Sequence, residues 1–231
     1  MKKERNNPIY DITPFTLLDY PDKAACILWF AGCNMRCGYC YNPDIVFGKG
    51  KKGTAEALSF LQSRKGLLDG VVMSGGECTL HKELIPLSQQ AKALDMSIKI
   101  DTNGSRPKVL KALADQHTLD YVALDFKAPS HKFDLLTRSN LYKPFTESLE
   151  FLIASGIPFE VRTTVHSAQL QTADILNMSD FLTCKGYTGN YYLQHFTNNS
   201  KTIETLPDSV KKEFETDFST DSIQVMIRES I

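Results

Sequence analysis

Short apolar segments alternate with longer segments of helical pattern, and this alternation limits the possible folds more than any other feature. Strands that alternate with helices pair in parallel through right-handed crossovers. The apolar runs predict strands at residues 24–30, 70–73, 97–104, 121–127, 158–166 and 190–196. Helices are predicted at residues 54–65, 82–94, 107–116, 144–155 and 171–183, followed by a late helix at 207–217 and a strand at 222–227. The expected architecture is an α/β fold, a partial (β/α)6 barrel open on one side.

Charge and hydropathy exclude several classes of protein. The 231 residues carry a formal net charge of −1, so a basic face for nucleic acid is not expected. The longest apolar run, Ala24 to Cys33, is far shorter than the ~20 residues of a membrane helix, and the charged N-terminus lacks the apolar core of a signal peptide. We therefore expect a cytoplasmic protein whose six cysteines are thiols or metal ligands. A single domain is expected over residues 1–231, with a core at about 14–200 and an extension at about 201–231.

Three cysteines, Cys33, Cys37 and Cys40, lie close together directly after the first predicted strand. Thiolates at this spacing can bind one metal centre from a single loop. Iron–sulfur clusters usually take four cysteine ligands, so three would leave one iron open to a substrate or cofactor. A structural zinc site is the alternative, but zinc requires four ligands. The fourth would have to come from Cys26, Cys78 or a histidine.

The C-x3-C-x2-C loop, with the aromatic Tyr39 before its third cysteine, resembles that of the radical S-adenosylmethionine (SAM) enzymes, and the resemblance spans roughly residues 14–200. It implies a partial barrel of the radical SAM type, with a [4Fe-4S] cluster on Cys33, Cys37 and Cys40 and SAM at the open iron. It also implies that one electron from a flavodoxin- or ferredoxin-like donor cleaves SAM to methionine and a 5′-deoxyadenosyl radical. No catalytic side chain is expected beyond the cluster and SAM.

Glycines and carboxylates follow the predicted strands, at the edge that carries the site in such folds. Gly75 and Gly76 let a ligand approach the backbone, and Glu77 can accept a hydrogen bond from an ammonium group. An ordinary tight turn is the alternative. In the radical SAM family the matching residues bind the amino group of the methionine moiety.

Two more strand ends bring charged groups to the same edge. Asp101 and Thr102 close the third predicted strand, and Asp125 and Lys127 close the fourth. Each pair alone is compatible with a capped turn. The resemblance to glycyl-radical activating enzymes implies a monovalent cation near Asp101, Thr102 and Asp125, and implies that Lys127 lies near the cofactor.

The last two predicted strands contribute three more candidates. Arg162 and Thr164 lie two residues apart and therefore share one face of the fifth strand. The resemblance implies that Arg162 contacts the carboxylate of the cofactor and that His195, in the sixth strand, contacts its adenosine. Simple packing roles are the alternative for these side chains.

Tyr39, Tyr41 and Asn42 surround the cysteine loop and are expected to lie beside the cluster or the cofactor. Relatives often have histidine where this chain has Tyr41, and proline where it has Cys78. Three cysteines are interpreted as structural thiols: Cys26, Cys78 and Cys184.

Residues 13–23, TPFTLLDYPDK, resemble the segment that precedes the first strand in activating proteins of the anaerobic ribonucleoside-triphosphate reductase. Such activases are short, and their partner inserts a glycine loop into an open barrel. The resemblance implies that the radical takes a hydrogen atom from a backbone glycine of this reductase. Neither a nucleic acid nor a membrane is expected as a partner.

Three other functions are compatible with parts of the sequence. A small-molecule radical SAM enzyme, such as a 7-carboxy-7-deazaguanine synthase-like protein, would close a pocket over its substrate and need no protein partner. A zinc-binding module without catalysis would leave the residues at the strand ends unexplained. Peptide maturation ranks lower, because it usually brings extra cysteine clusters and only Cys184 follows Cys78.

Overall fold

The computed structural model describes residues 7–210, 218–220 and 222–228. Within these residues eight strands form one open sheet, in which their spatial order follows their order along the chain. The strands are β1 (Ile9–Thr16), β2 (Ala25–Phe30), β3 (Gly70–Gly75), β4 (Ser97–Thr102), β5 (Tyr121–Asp125), β6 (Phe159–Val165), β7 (Gly189–His195) and β8 (Ile223–Arg228). The helices are α1 (Pro43–Phe47), α2 (Thr54–Ser63), α3 (Leu84–Lys92), α4 (Pro107–Asp115), α5 (Ser130–Thr137), α6 (Tyr142–Ser155) and α7 (Thr172–Cys184), with a short 3₁₀ helix at Cys78–Leu80.

The predicted α/β fold with an open sheet is confirmed. Each strand and helix predicted between residues 24 and 196 is present, and its ends differ from the prediction by only a few residues. The predicted helix at 207–217 is not found at residues 207–210, and residues 211–217 lie outside the described part of the chain. The prediction of a single domain stays a prediction.

Strand β1 and the helices α1 and α5 were not predicted. β1 pairs antiparallel with β2, with Ile12 opposite Leu28, whereas β2–β3, β3–β4, β6–β7 and β7–β8 pair in parallel. The sequence of β1 is mixed in polarity and contains Pro14, which an edge strand tolerates because one side of its backbone needs no partner. The segment that resembles the reductase activases therefore begins inside an edge strand.

The chain forms two compact units, each with its own contacts. The first unit comprises the described residues of 1–34, 42–102 and 106–122. Its strands β2 and β3 are almost continuously buried, as parallel strands covered on both faces are. Their register sets Phe30 opposite Gly75, so both strands end at the same level.

The second unit comprises the described residues of 35–41, 103–105 and 123–231. Aromatic side chains fill its interior: Phe126 stacks on Phe145 with 4.7 Å between ring centroids, and Phe133 lies beside Phe145. Strands β6, β7 and β8 pair in parallel, which sets Val165 opposite His195 at their carboxyl ends. This packing fixes the positions of the polar residues that follow β5, β6 and β7.

None of the helices in the described ranges combines the length and the apolar character required to cross a bilayer.

Replacing Phe145 by alanine is expected to lower the free energy of unfolding by about 3–5 kcal/mol, because the side chain is completely buried and its removal leaves a cavity. Leu135→Ala is the control, since Leu135 is 63% exposed and should change stability by no more than about 0.5 kcal/mol. Urea denaturation of both variants measures the difference. Equal effects of the two substitutions would contradict this account of the core.

Candidate functional site

In the first unit, the end of β3 is fastened to the start of the cysteine loop. The backbone N–H of Gly76 donates to the carbonyl of Phe30 (2.9 Å), and that of Glu77 donates to the carbonyl of Gly32 (2.9 Å). A Cβ on Gly76 would lie 1.9 Å from the Gly32 oxygen, and Cys33 begins directly beyond this contact. Glycine is therefore required here because two backbones approach each other closely.

Gly75 has a second reason to be glycine. Its φ of +124° lies in a region that side chains rarely adopt, and a Cβ would lie 2.2 Å from the carbonyl oxygen of Phe30. The two glycines thus set the distance between the end of β3 and the segment that leads to Cys33.

Glu77 joins the end of β3 to the end of β4. Its Oε1 accepts hydrogen bonds from the backbone N–H of Thr79 (3.1 Å), from the Thr79 hydroxyl and from the Thr102 hydroxyl (2.8 Å). Glu77 is 1% exposed, and a buried carboxylate requires such donors. An ammonium ligand at this carboxylate would share it with both threonines.

Asp101 lies on the same face of β4 as Lys99, with which it forms a short, buried ion pair. Its second carboxylate oxygen accepts from the hydroxyl of Ser74 at 3.2 Å, and its backbone carbonyl accepts from the thiol of Cys78 at 3.5 Å. Burial raises the pKa of Cys78, and the charges of Glu77 and Asp101 act in the same direction. Cys78 is therefore a protonated thiol that packs behind the end of β4.

In the second unit, the rest of the cysteine loop forms a tight turn. The backbone N–H of Cys40 donates to the carbonyl of Cys37 (3.0 Å), and that of Arg36 donates to Thr137 at the end of α5 (2.8 Å). Burial raises the pKa of Cys37, while the nearby ammonium of Lys127 acts to lower it. Without a metal this thiol is protonated at neutral pH, so binding a metal would release its proton.

Tyr39 lies inside this turn and is 4% exposed. Its hydroxyl makes no hydrogen bond of ordinary geometry with the described residues, although it is close enough to Cys37 to favour the thiolate. Burial raises the pKa of Tyr39, and the charge of Cys37 raises it further. A buried hydroxyl with so little compensation is typical of a position that faces a bound group.

Asp125 at the end of β5, Lys127 just after it and Arg162 in the middle of β6 form one ionic group. Lys127 Nζ lies 3.0 Å from Asp125 Oδ2, and Arg162 reaches Asp125 Oδ1 through Nε (3.1 Å) and Nη2 (3.0 Å). Burial alone would raise the pKa of Asp125, but the two cations outweigh it and lower the pKa. Burial likewise opposes the ammonium of Lys127, but Asp125 raises its pKa above the ordinary value. With Glu160 and Arg228 included, three cations face two carboxylates, which leaves a positive group suited to an anion.

The end of β7 holds Tyr41. The Tyr41 ring stacks on Phe196 with centroids 5.3 Å apart, and its hydroxyl accepts from the backbone N–H of Thr197 at 2.8 Å. His195 is the last residue of β7, and Thr164 is partly buried on β6. Tyr41 is thus held by a stacking partner and a backbone donor.

Asn42 precedes α1 in the first unit, where its carbonyl accepts from the backbone N–H of Val46 at 2.9 Å.

Two of the cysteines interpreted as structural are buried, Cys26 in β2 and Cys78 in the 3₁₀ helix, whereas Cys184 is exposed at the end of α7. Burial raises the pKa of Cys26 to about 12, which keeps this thiol protonated.

The segment after β7 covers the cysteine turn. The backbone N–H of Glu204 donates to the carbonyl of Gly38 (3.0 Å), and Arg138 Nη2 holds the Glu204 carboxylate (3.1 Å). A Cβ on Gly38 would lie 2.6 Å from Glu204 Oε2. The same segment lines a cavity of about 370 Å³ between Phe196 and Asp208.

Four of these interactions were missed from the sequence. Lys99 reads as an ordinary strand residue, and Glu204 lies in an irregular stretch with no pattern. His81 Nε2 lies 2.7 Å from the carbonyl oxygen of Ala31, which helps to fix the segment before Cys33. Glu160 lies between Arg162 and Arg228 on the sheet. Lys99 and Asp101 lie two residues apart on β4, and Glu160 and Arg162 lie two residues apart on β6. The contacts of Glu204, His81 and Arg228 join separate segments, and no short-range signal indicates them.

Comparison with known proteins decides the family. The model of the radical SAM superfamily matches residues 27–169, which is more than half of the chain. The chain belongs to the radical SAM superfamily. Its fold is shared with two solved structures. The match to SuiB from Streptococcus suis bound to SAM covers 85% of this chain and 48% of SuiB (TM-score 0.67, 14% identity). The match to QueE from Escherichia coli covers 83% of this chain and 85% of QueE (TM-score 0.55, 16% identity).

Relatives in sequence come from two functional groups within this superfamily. A protein of Methanocaldococcus jannaschii, provisionally named a glycyl-radical enzyme activating enzyme, is 37% identical over 53% of this chain and 51% of its own length. The pyruvate formate-lyase-activating enzyme of Clostridium pasteurianum is 37% identical over 52% of each chain. A 7-carboxy-7-deazaguanine synthase of Methanothermobacter thermautotrophicus is 30% identical over 50% of this chain and 48% of its own length. The chain thus spans about half the length of the curated relatives it matches.

The residues present are suitable for the [4Fe-4S] cluster that this family implies. Three thiols lie on one loop, Cys37 is buried beside the Lys127 ammonium, and the buried Tyr39 hydroxyl lacks a well-formed partner in the described chain. In the described ranges, no three His, Cys, Asp or Glu side chains converge on a point that a single metal ion could occupy. A cubane does not require such convergence, because each thiolate binds a different iron.

Asp125→Asn is expected to destabilise the protein by about 1–3 kcal/mol at pH 7, because two cations lose their charged partner. Since folding lowers the pKa of Asp125, its contribution is complete above the ordinary carboxyl pKa of about 4 and is lost as the pH falls through the lower folded-state value. The stability difference between wild type and variant should therefore shrink below about pH 4. Urea unfolding from pH 7 to pH 3 measures it, with the exposed Asp134→Asn as control. A difference independent of pH would contradict the ionic group.

Proposed function

We propose that this chain is a glycyl-radical activase that acts on the anaerobic ribonucleoside-triphosphate reductase, with a [4Fe-4S] cluster on Cys33, Cys37 and Cys40. The observation that carries the proposal is the buried Cys37 turn beside Lys127, in a chain of the radical SAM superfamily. Two relatives named as activating enzymes, each 37% identical, support the activase class. The segment around Asp19-Tyr20-Pro21 supports the reductase as partner.

The cysteine turn has properties that a cluster requires. A cubane held by thiolates is anionic, and the Lys127 ammonium beside Cys37 would offset part of that charge. Burial of Cys37 and Tyr39 would keep water away from the metal. The contact of Glu204 with Gly38 would hold the covering segment in place.

The ionic group of Asp125, Lys127 and Arg162 is suited to the carboxylate of SAM. Asp125 holds Arg162 and Lys127 in fixed positions, and the surplus positive charge would attract an anion. The amino group of SAM would meet Glu77 and the backbone of Gly75 and Gly76. His195 and Thr164 would contact the rest of the cofactor, and Tyr41 and Asn42 would border the cluster loop.

When bound, the cluster and SAM supply the one-electron chemistry that removes a hydrogen atom from the target. The side chains of this protein bind and orient these groups and need not act as acids or bases. The target would be a backbone glycine of the partner. The electron would come from a flavodoxin- or ferredoxin-like donor.

A 7-carboxy-7-deazaguanine synthase-like activity is the second candidate. The cavity of about 370 Å³ after β7, lined largely by polar residues, has room for a small molecule. Relatives with that name match up to half of this chain at 30% identity or more. This activity would require no protein partner.

Anaerobic reconstitution with iron and sulfide is expected to load about four iron and four acid-labile sulfide per chain. Cys37→Ala should abolish loading, whereas Cys184→Ala should load like the wild type because this thiol is exposed at the end of α7. Chemical analysis and visible absorption measure the content. One zinc per chain without sulfide would support the zinc-binding module instead.

The reduced, loaded protein is expected to produce a glycyl radical when mixed anaerobically with SAM and the reductase. Arg162→Ala should weaken SAM binding and lower the radical yield at limiting SAM, because the cofactor carboxylate loses a charged partner. Electron paramagnetic resonance counts the radical, and omission of SAM is the control. A silent glycyl region, together with turnover of a deazapurine precursor without any partner, would favour the second candidate.

A further inference from the structure

We propose that Lys99 serves as a built-in cation for Asp101, so that this chain binds SAM without a free monovalent cation at that carboxylate. The inference rests on the proposed function and concerns how the SAM site is neutralised. It departs from the resemblance, which implied a monovalent cation near Asp101, Thr102 and Asp125.

Both carboxylate oxygens of Asp101 accept hydrogen bonds from side chains of this chain. Lys99 donates to Oδ1 in a short ion pair, and Ser74 donates to Oδ2 at 3.2 Å. The side chain of Lys99 is 2% exposed and that of Asp101 is 13% exposed. Each carboxylate oxygen that could ligate a cation therefore already accepts from a donor of the same chain.

The negative charge of Asp101 is balanced by the ammonium of Lys99. A buried lysine is tolerated only when paired, and Asp101 is the partner that Lys99 has at 2% exposure. A free cation on Asp101 would lie beside the ammonium of Lys99, and like charges at such distances repel strongly where water is scarce. One carboxylate neutralised by one ammonium needs no second cation.

Thr102 and Asp125, the other residues expected to bind the monovalent cation, also have partners within the protein. The Thr102 hydroxyl donates to Glu77 Oε1 at 2.8 Å, and Thr102 is 2% exposed. In the second unit, Asp125 has Lys127 and Arg162 as its own cations. The residues expected to hold a monovalent cation therefore do not fit one.

The pairing is encoded locally. Lys99 lies two residues before Asp101 in β4, so both side chains fall on the same side of the strand. Lys127 lies two residues after Asp125, the last residue of β5. A tethered ammonium cannot dissociate, which makes the charge of the site independent of the salt in solution.

The experiment measures SAM affinity of the reconstituted protein by equilibrium dialysis in potassium, sodium or tetramethylammonium chloride at one ionic strength. Wild type should bind SAM with the same Kd, within twofold, in all three salts. Lys99→Met should bind at least tenfold more weakly in tetramethylammonium, and potassium or sodium should restore part of the affinity. Lys92→Met, which removes the lysine of the half-exposed Lys92–Asp120 pair, is the matched control and should behave like wild type.

Thermal unfolding of the metal-free protein gives a second readout that does not depend on SAM. Wild type should melt at the same temperature in the three salts, whereas Lys99→Met should melt lower and gain stability from potassium or sodium over tetramethylammonium. The double variant Lys99→Met/Asp101→Asn, which carries neither charge, should lose this salt response.

Two results would overturn the proposal: a tenfold gain in the wild-type SAM affinity when potassium replaces tetramethylammonium, or a specific rise of the wild-type melting temperature in potassium. If Lys99→Met does not fold, the SAM affinity and melting temperature of the wild type in the three salts still test the proposal. Absence of SAM binding in every salt would instead refute the proposed function, and the melting series would then still decide the role of Lys99.

Discussion

The parallel register between β2 and β3 is the constraint on which the first unit depends. It brings Phe30 and Gly75 to the same level, and the backbone N–H groups of Gly76 and Glu77 then bond to the carbonyls of Phe30 and Gly32. A side chain at either glycine would collide with these carbonyls. The direction in which the chain enters the cysteine loop at Cys33 therefore follows from backbone packing before any metal is considered.

Buried charge is handled in the same way at both carboxylates that close strands. Asp101 and Asp125 each take a lysine two residues away along the chain, so neutralisation is achieved locally. The two groups differ in their charge: Asp101 is balanced by Lys99, whereas Arg162 adds a second cation to Asp125. One carboxylate is thereby balanced and the other lies in a positive group, although both look alike as strand-terminal aspartates in the sequence.

Much of the fold could be predicted because its signals are local. Buried parallel strands are continuous apolar runs. Helix ends carry residues whose backbone preferences suit them: Pro107, with its fixed φ, begins α4, and Gly156, which tolerates a φ of +70°, follows α6. Such signals do not fix the exact end of a helix: threonine is favoured at N-caps, yet Thr54 is already helical and Gly53 occupies the N-cap position. β1 was missed because its sequence is mixed in polarity and contains Pro14, which an edge strand tolerates.

The candidate site also contains residues that the sequence predicts and contacts that it does not. Its glycines and its strand-terminal charges could be found from the sequence, because strand ends are readable and parallel strands share one edge. The partners of those residues could be found only where they lie two positions away along the chain. Glu204 and His81 meet the cysteine loop through contacts between distant segments, which only packing creates, whereas the pairing of Lys99 with Asp101 follows from the period of two along a strand. A charged residue inside an otherwise apolar strand, two positions from a carboxylate, is therefore better interpreted as a buried counterion than as an exposed side chain.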